Sequence, residues 1–270
     1  MWCRHIHLRP YHGVGVADQI RDAMMREGFS REDATGRFWL VDRQGLLTAD
    51  MSGQLRDYQS SYARSTAQSK SWHHSPDGSG INLAEVVRRV NPTMLIGASA
   101  ESGAFTQAIV EDMASHTERP ISLVLSIPQA HAEAIPADLV AWTGGRALIA
   151  TGRSFSPVTY KVVTYAIAQL SNAMLYPGLA LGAIISQASR ISEGIFAAAA
   201  NAVSSLVILS QSGASLLPHV DDLRCVSMSV AAAVAEAALA EGLARVKLNN
   251  IHQQVKDAMW QPEYREIRAV

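Results

Sequence analysis

The chain of 270 residues is 48% hydrophobic and 17% charged, with a formal net charge of −1, enough for a buried core in one large or two small domains. Acidic and basic residues are interspersed, so there is no electrostatic footprint for nucleic acid or for an anionic membrane surface, and small-molecule partners are favoured. Cys3 and Cys225 stand far apart and make no disulfide framework, and the amino end lacks the apolar run of a secretory signal, so a cytoplasmic protein is expected.

In chain order, Val16, Ile20, Ala23 and Met24 recur at helical spacing after Gly13, and Gly28 stands where that helix would end. Ser30 with Asp33 three residues on predicts a capped second helix. "RFWLVD" (37–42) reads as a buried strand, with Phe38 and Trp39 in its core. The polar stretch 48–82 predicts surface loop with little regular structure. Strands are predicted at 93–99, 121–126 and 146–151, each followed or preceded by a helix-period segment, with Pro136 near the start of one and Trp142 anchoring it. This alternation predicts an α/β fold: a doubly wound parallel sheet of Rossmann type, followed beyond Asn172 by a mostly helical part. The apolar runs 175–185 and 195–209 fall short of a bilayer span and are expected to be buried helices.

In an open parallel sheet, ligands bind at the carboxyl ends of the strands, which directs attention to Asp42 and to the segments after Gly97 and Leu125. An acid at the tip of the second strand can accept hydrogen bonds from an adenosine ribose and so favour NAD over its phosphorylated form; it can equally be a surface acid after a core strand. Cys3, His5, His7 and His12 match no standard zinc spacing, and no metal site is expected there. Arg153 is placed either toward the site or in solvent, and His219 and Asp222 read as polar residues at the end of a helix.

The segments "GVGVADQIRDAMMREGFSREDATGRFWLVDRQGLLT", "NPTMLIGAS", "GAFTQAIVEDMASHTERPISLVLS", "AEAIPADLVAWTGGRALIATGRSF", "NAMLYPGLALGAIISQASRIS" and "SLLPHVDDLRCVSMSVAAAVAEAALAEGLA" occur in this order. Together they resemble the NAD-binding domain of malic enzymes. The resemblance spans 13–245, leaving 1–12 as an unrelated segment and 246–270 as a helical tail. It implies oxidation of malate with NAD or NADP, and decarboxylation to pyruvate assisted by Mg or Mn. The proton-transfer Lys and Tyr and the acidic metal ligands of such enzymes precede this region, so no catalytic or metal-binding residue is expected within it. The cofactor contacts implied are Gly13, Asp42, Arg43, Ala98, Ser99, Leu125 and Asn172.

Several positions depart from the family pattern. Its phosphate-binding glycines fall on Leu8, Pro10 and Gly13, so only the last survives; a side chain fills the cradle and proline removes an N–H. Ile127 replaces an asparagine expected near substrate, and Ser171 replaces the first of two paired asparagines. The first strand is expected to be lost, with "RHIHL" at most a partial substitute. An open sheet edge would then drive association, as a homo-oligomer or with a chain carrying the missing amino-terminal domain. Three readings follow: an NAD-dependent malic enzyme chain needing residues from elsewhere, a cofactor-binding or interaction module inactive alone, or a relic fragment.

Overall fold

A computed structural model describes residues 5–8, 10–76, 78 and 80–261, giving the backbone alone for residues up to 12. The described chain divides into two compact units, one running to Leu170 and including Leu209–Leu216, the other made of Ser171–Ile208 and the residues from Leu217 onward.

The first unit is α/β. Strand β1 (His5–Leu8) leads into helix α1 (Pro10–Arg26), then α2 (Arg31–Thr35) and β2 (Phe38–Asp42). The expected loss of the first strand is therefore corrected: β1 lies inside the sheet, parallel to β2 on one side. Ser30 caps α2 as predicted, its hydroxyl accepting the Asp33 N–H at 3.0 Å. A two-residue strand β3 (Gly45–Leu46) returns antiparallel to β2. Single-turn helices α3 (Asp57–Ser60) and α4 (Thr66–Ser69) precede α5 (Leu83–Val90), which is capped by Asn82. Then follow β4 (Met94–Gly97), α6 (Gln107–His116), β5 (Ile121–Val124), α7 (Pro136–Trp142) and β6 (Leu148–Thr151). A separate hairpin, β7 (Val158–Tyr160) with β8 (Val163–Tyr165), and the short β9 (Ala168–Gln169) complete the unit.

The sheet order is β3-β2-β1-β4-β5-β6-β9, and every neighbouring pair except β2 with β3 is parallel. From β1 the chain winds to β2 on one side, then returns through α5 to β4 on the other, so the winding reverses at the carboxyl ends of β1 and β4. Alternation along β2 divides the core. Phe38 and Leu40 pack with Val14, Ala17 and Met24 of α1, while Val41 joins Leu95, Val86, Val110 and Leu139 beneath α5, α6 and α7. Trp142 packs against this second cluster. Because β1 is in place, the edges are β3 and β9, each only two residues long. Such short edges offer little backbone for pairing, which removes the physical basis for association through an open first-strand edge.

The described residues of 48–82 hold more regular structure than their polarity predicts. Thr48 and Arg64 form a parallel bridge, and Tyr62, 2% exposed, packs edge-on against Phe38 with ring centroids 5.6 Å apart. The Tyr62 hydroxyl donates to Asp18 Oδ1 at 2.8 Å and accepts from Arg21 Nη1 at 3.2 Å, tying this segment to α1. Arg64 donates through Nη2 to the Gly36 and Phe38 carbonyls at 2.6 and 2.5 Å and lies 4.0 Å over the Trp39 ring, which stacks on Trp72. Burial pushes its guanidinium down to about 10.

Burial first, then the hydrogen bond to Asp18, raises the Tyr62 phenol well above its ordinary 10.0. Above that pH the unfolded phenol ionises while the folded one stays neutral. Its contribution to stability is therefore complete below about pH 10 and lost as the pH rises further. Tyr62→Phe should cost about 1 kcal/mol at neutral pH and lose less stability than the wild type between about pH 9 and 11, as read from urea unfolding.

The second unit is helical: α8 (Tyr176–Ser186), α9 (Glu193–Ser205), α10 (Leu223–Ala240) and α11 (Ile251–Ala258). The segment Val220–Ala240 is long and apolar enough to cross a membrane, with a mean hydropathy of 1.5. Of its apolar window 44% is buried, where Val226, Val230, Val234 and Ala238 form a core with Leu179, Ile195 and Ala199. The run 175–185 is only half buried: Gly178, Leu179 and Gly182 face inward, but Ile184 is 71% exposed.

Candidate functional site

Register places the carboxyl ends of the strands level. Leu8 pairs with Val41 on one side and with Gly97 on the other, Gly97 with Val124, and Val124 with Thr151. Asp42, Ala98 and Leu125 thus each stand one residue past the same transverse row, on the rim where the winding reverses. Sequence reasoning had these three as separate strand ends, and the sheet brings them to one edge.

Their surroundings differ. Asp42 is half-buried and accepts the Arg43 N–H at 2.8 Å through Oδ1, fixing the carboxylate over the turn from β2 to β3; Arg43 itself is exposed. Leu125 is half-buried, and its N–H donates to the Gly97 carbonyl at 2.8 Å. Ala98 is half-buried and Ser99 is 3% exposed, while Ala100 holds a left-handed φ of 55°, a region costly for a residue with a Cβ. Gly13 is buried in the first turns of α1, as a glycine packing helix onto strand would be. Asn172 belongs to the helical unit, where it opens a turn capped by the Ser171 hydroxyl.

The turn after β4 is held by a residue absent from the predicted set. Glu133, on the connection from β5 to α7, is completely buried. Its Oε1 accepts the Ser99 N–H at 2.7 Å, the Ser99 hydroxyl at 2.8 Å and the Ser126 hydroxyl at 2.5 Å. Its Oε2 is buried without a hydrogen-bond partner. A Cβ on Gly97 would stand 2.6 Å from Glu133 Cδ and 2.8 Å from Oε2, so the bare strand end is what admits the carboxylate. Within "QAHAEAIP" the glutamate looks like a surface residue, and only the fold reveals its burial.

A dinucleotide laid along this rim would find polar groups at two places. Asp42 offers an acceptor at the tip of β2, and the turn 98–100 offers backbone and hydroxyl groups at the tip of β4. Between them the fit is reduced: α1 starts at Pro10, two residues after the last residue of β1, and proline contributes no N–H to the helix end that would face a diphosphate. Ile127 is 58% exposed, and an aliphatic side chain there has no polar group to offer. Cys3, His5, His7 and His12, where no metal site is expected, lie outside the described side chains. Among the described residues no group of three or more His, Cys, Asp or Glu could hold a metal ion. Arg153 is exposed, and the His219 ring accepts from the Asp221 N–H at the start of a helical turn.

The family model described as "Malic enzyme, NAD binding domain" matches residues 11–239. The chain belongs to the malic enzyme NAD-binding-domain family. It is 50% identical over 258 residues to NAD-dependent malic enzyme 3 of Bacillus subtilis, covering 96% of this chain and 45% of that protein. To the NAD-dependent malic enzyme of Sodalis glossinidius it is 41% identical, covering 95% of this chain and again 45% of the relative. The chain therefore spans less than half the length of these relatives. The malic enzyme of Entamoeba histolytica superimposes with a TM-score of 0.68 at 20% identity, over 95% of this chain and 46% of its own. That of Pyrococcus horikoshii gives the same score and identity over 94% and 52%. The malic enzyme folds confirm the α/β architecture derived from the strand and helix alternation.

Proposed function

We propose that the chain is the cofactor-holding portion of an NAD-dependent malic enzyme. The observation that carries this reading is the register row that sets Asp42, Ala98 and Leu125 side by side where the sheet reverses its winding. Asp42 would accept the ribose hydroxyls of the adenosine, and its charge would repel a phosphate in their place, which selects NAD over NADP. The turn 98–100 would meet the nicotinamide ribose, and Gly13 would let α1 approach the strand. When bound, NAD supplies the hydride acceptor for malate oxidation. The Mg or Mn ligands and the proton-transfer groups would come from protein beyond these 270 residues, either an amino-terminal portion or a companion chain.

Two measurements test this. Asp42→Ala should weaken NAD binding by about tenfold and reduce the preference over NADP, as read by calorimetric titration of both. A malate-dependent NADH assay with Mn should give no turnover with these 270 residues alone; turnover would place catalytic groups inside them.

A further inference from the structure

Glu133 gathers the whole turn after β4 onto one carboxylate. The Ser99 N–H reaches it directly. The Glu101 N–H reaches it through the Ser99 hydroxyl at 3.1 Å, and the Ala100 N–H through the Ser126 hydroxyl at 2.8 Å. A hydroxyl has one proton to give, so each serine that donates to Glu133 must turn its lone pairs outward, toward those amides. Oε1 is an acceptor only, so it sets both hydroxyl rotors and, through them, three consecutive backbone groups. The strained φ of Ala100 sits at the centre of this arrangement, held by contacts from two strand ends.

We propose that Glu133 is a positioning residue for the cofactor: by clamping Ser99 and Ser126 together it fixes the turn 98–101 in the form that receives the nicotinamide-ribose end of NAD. The role rests on the NAD reading above. It also assigns a purpose to the match between Gly97 and Glu133, which brings the carboxylate under the strand end rather than leaving it in solvent.

The test uses the full chain with Glu133→Ala, Glu133→Gln and Ser126→Ala, each followed by amide hydrogen exchange and by NAD titration. Ser126→Ala removes one arm of the clamp and leaves Oε1 hydrogen-bonded to Ser99, so it remains informative even where Glu133→Ala fails to fold. The Ala100 amide should exchange at least about tenfold faster in Ser126→Ala, with Ser99 protected as before. In Glu133→Ala the amides of 99–101 should all lose protection while those of β4 and β5 keep theirs, and NAD affinity should fall about tenfold. Glu133→Gln, which retains an acceptor at Oε1, should stay within about threefold of the wild type. Unchanged exchange at Ala100 in Ser126→Ala would overturn the clamp. A freed turn with unaltered NAD affinity would overturn the positioning role. A wild-type chain without affinity for NAD would overturn the cofactor reading and the positioning role with it, and the exchange pattern would show whether the clamp itself had failed.

Discussion

Gly182→Ala should destabilise the helical unit by about 3 kcal/mol, and Gly178→Ala by a comparable amount, because overpacking against backbone has nowhere to relax. The two glycines lie four residues apart on α8, on the face that meets α10. A Cβ at Gly182 would stand 2.5 Å from the Ala231 carbonyl oxygen and 2.7 Å from Val234 Cβ; at Gly178 it would stand 2.6 Å from the Ser227 carbonyl oxygen and from Val230 Cβ. Real Cβ atoms do not approach backbone so closely, so the helices must separate. The contacts then lost are those of Val230 and Val234, both fully buried. Alanine is the better helix former at an exposed site by nearly 1 kcal/mol, so the sign of the effect separates close packing from propensity. Denaturant unfolding followed by far-ultraviolet circular dichroism reads the change; a stabilised Gly182→Ala protein would show that α8 and α10 are not in this contact.

The second large effect is expected at the pair Gly97 and Glu133. Glu133→Ala removes the shared acceptor of three donors and should cost on the order of 3 kcal/mol, since several buried donors lose their partner at once. Gly97→Ala alone should cost about as much, since its Cβ would overlap the glutamate side chain. The double variant should cost less than the sum by about 1 to 3 kcal/mol, because shortening residue 133 opens the space that the new methyl needs. Strict additivity in the unfolding free energies would contradict the packing described at the end of β4.

Much of the fold was legible in the residues. The strands at 38–42, 94–97, 121–124 and 148–151 are short apolar runs bounded by turn residues, and burial on both faces of a parallel sheet demands that pattern. The cap at Ser30 is local chemistry that a sequence displays openly. The rest depended on tertiary context. Strand β1, four residues of alternating histidine and aliphatic side chains ahead of a proline-started helix, lies within "RHIHL", which has no apolar run and reads as at most a partial substitute for the first strand. Tyr62 and Arg64 sit in polar surroundings, and only their partners on α1, Gly36 and Phe38 make them interior residues. The hairpin β7 and β8 was not foreseen, its strands being three residues each. In the candidate site, Asp42, Ala98 and Leu125 could be named as strand ends, but their alignment on one row is a property of register. Glu133 was missed for a physical reason: nothing in an acidic residue between alanines signals burial until two serines and a glycine are folded around it.

The chain belongs to the malic enzyme NAD-binding-domain family, and the cofactor site proposed for it departs from the family's phosphate-binding pattern at Leu8 and Pro10. The most direct test of the central claim is calorimetric titration of the wild-type chain with NAD. Saturable binding at one site per chain, weakened by Asp42→Ala, is the predicted result. No saturable heat up to millimolar NAD would contradict it.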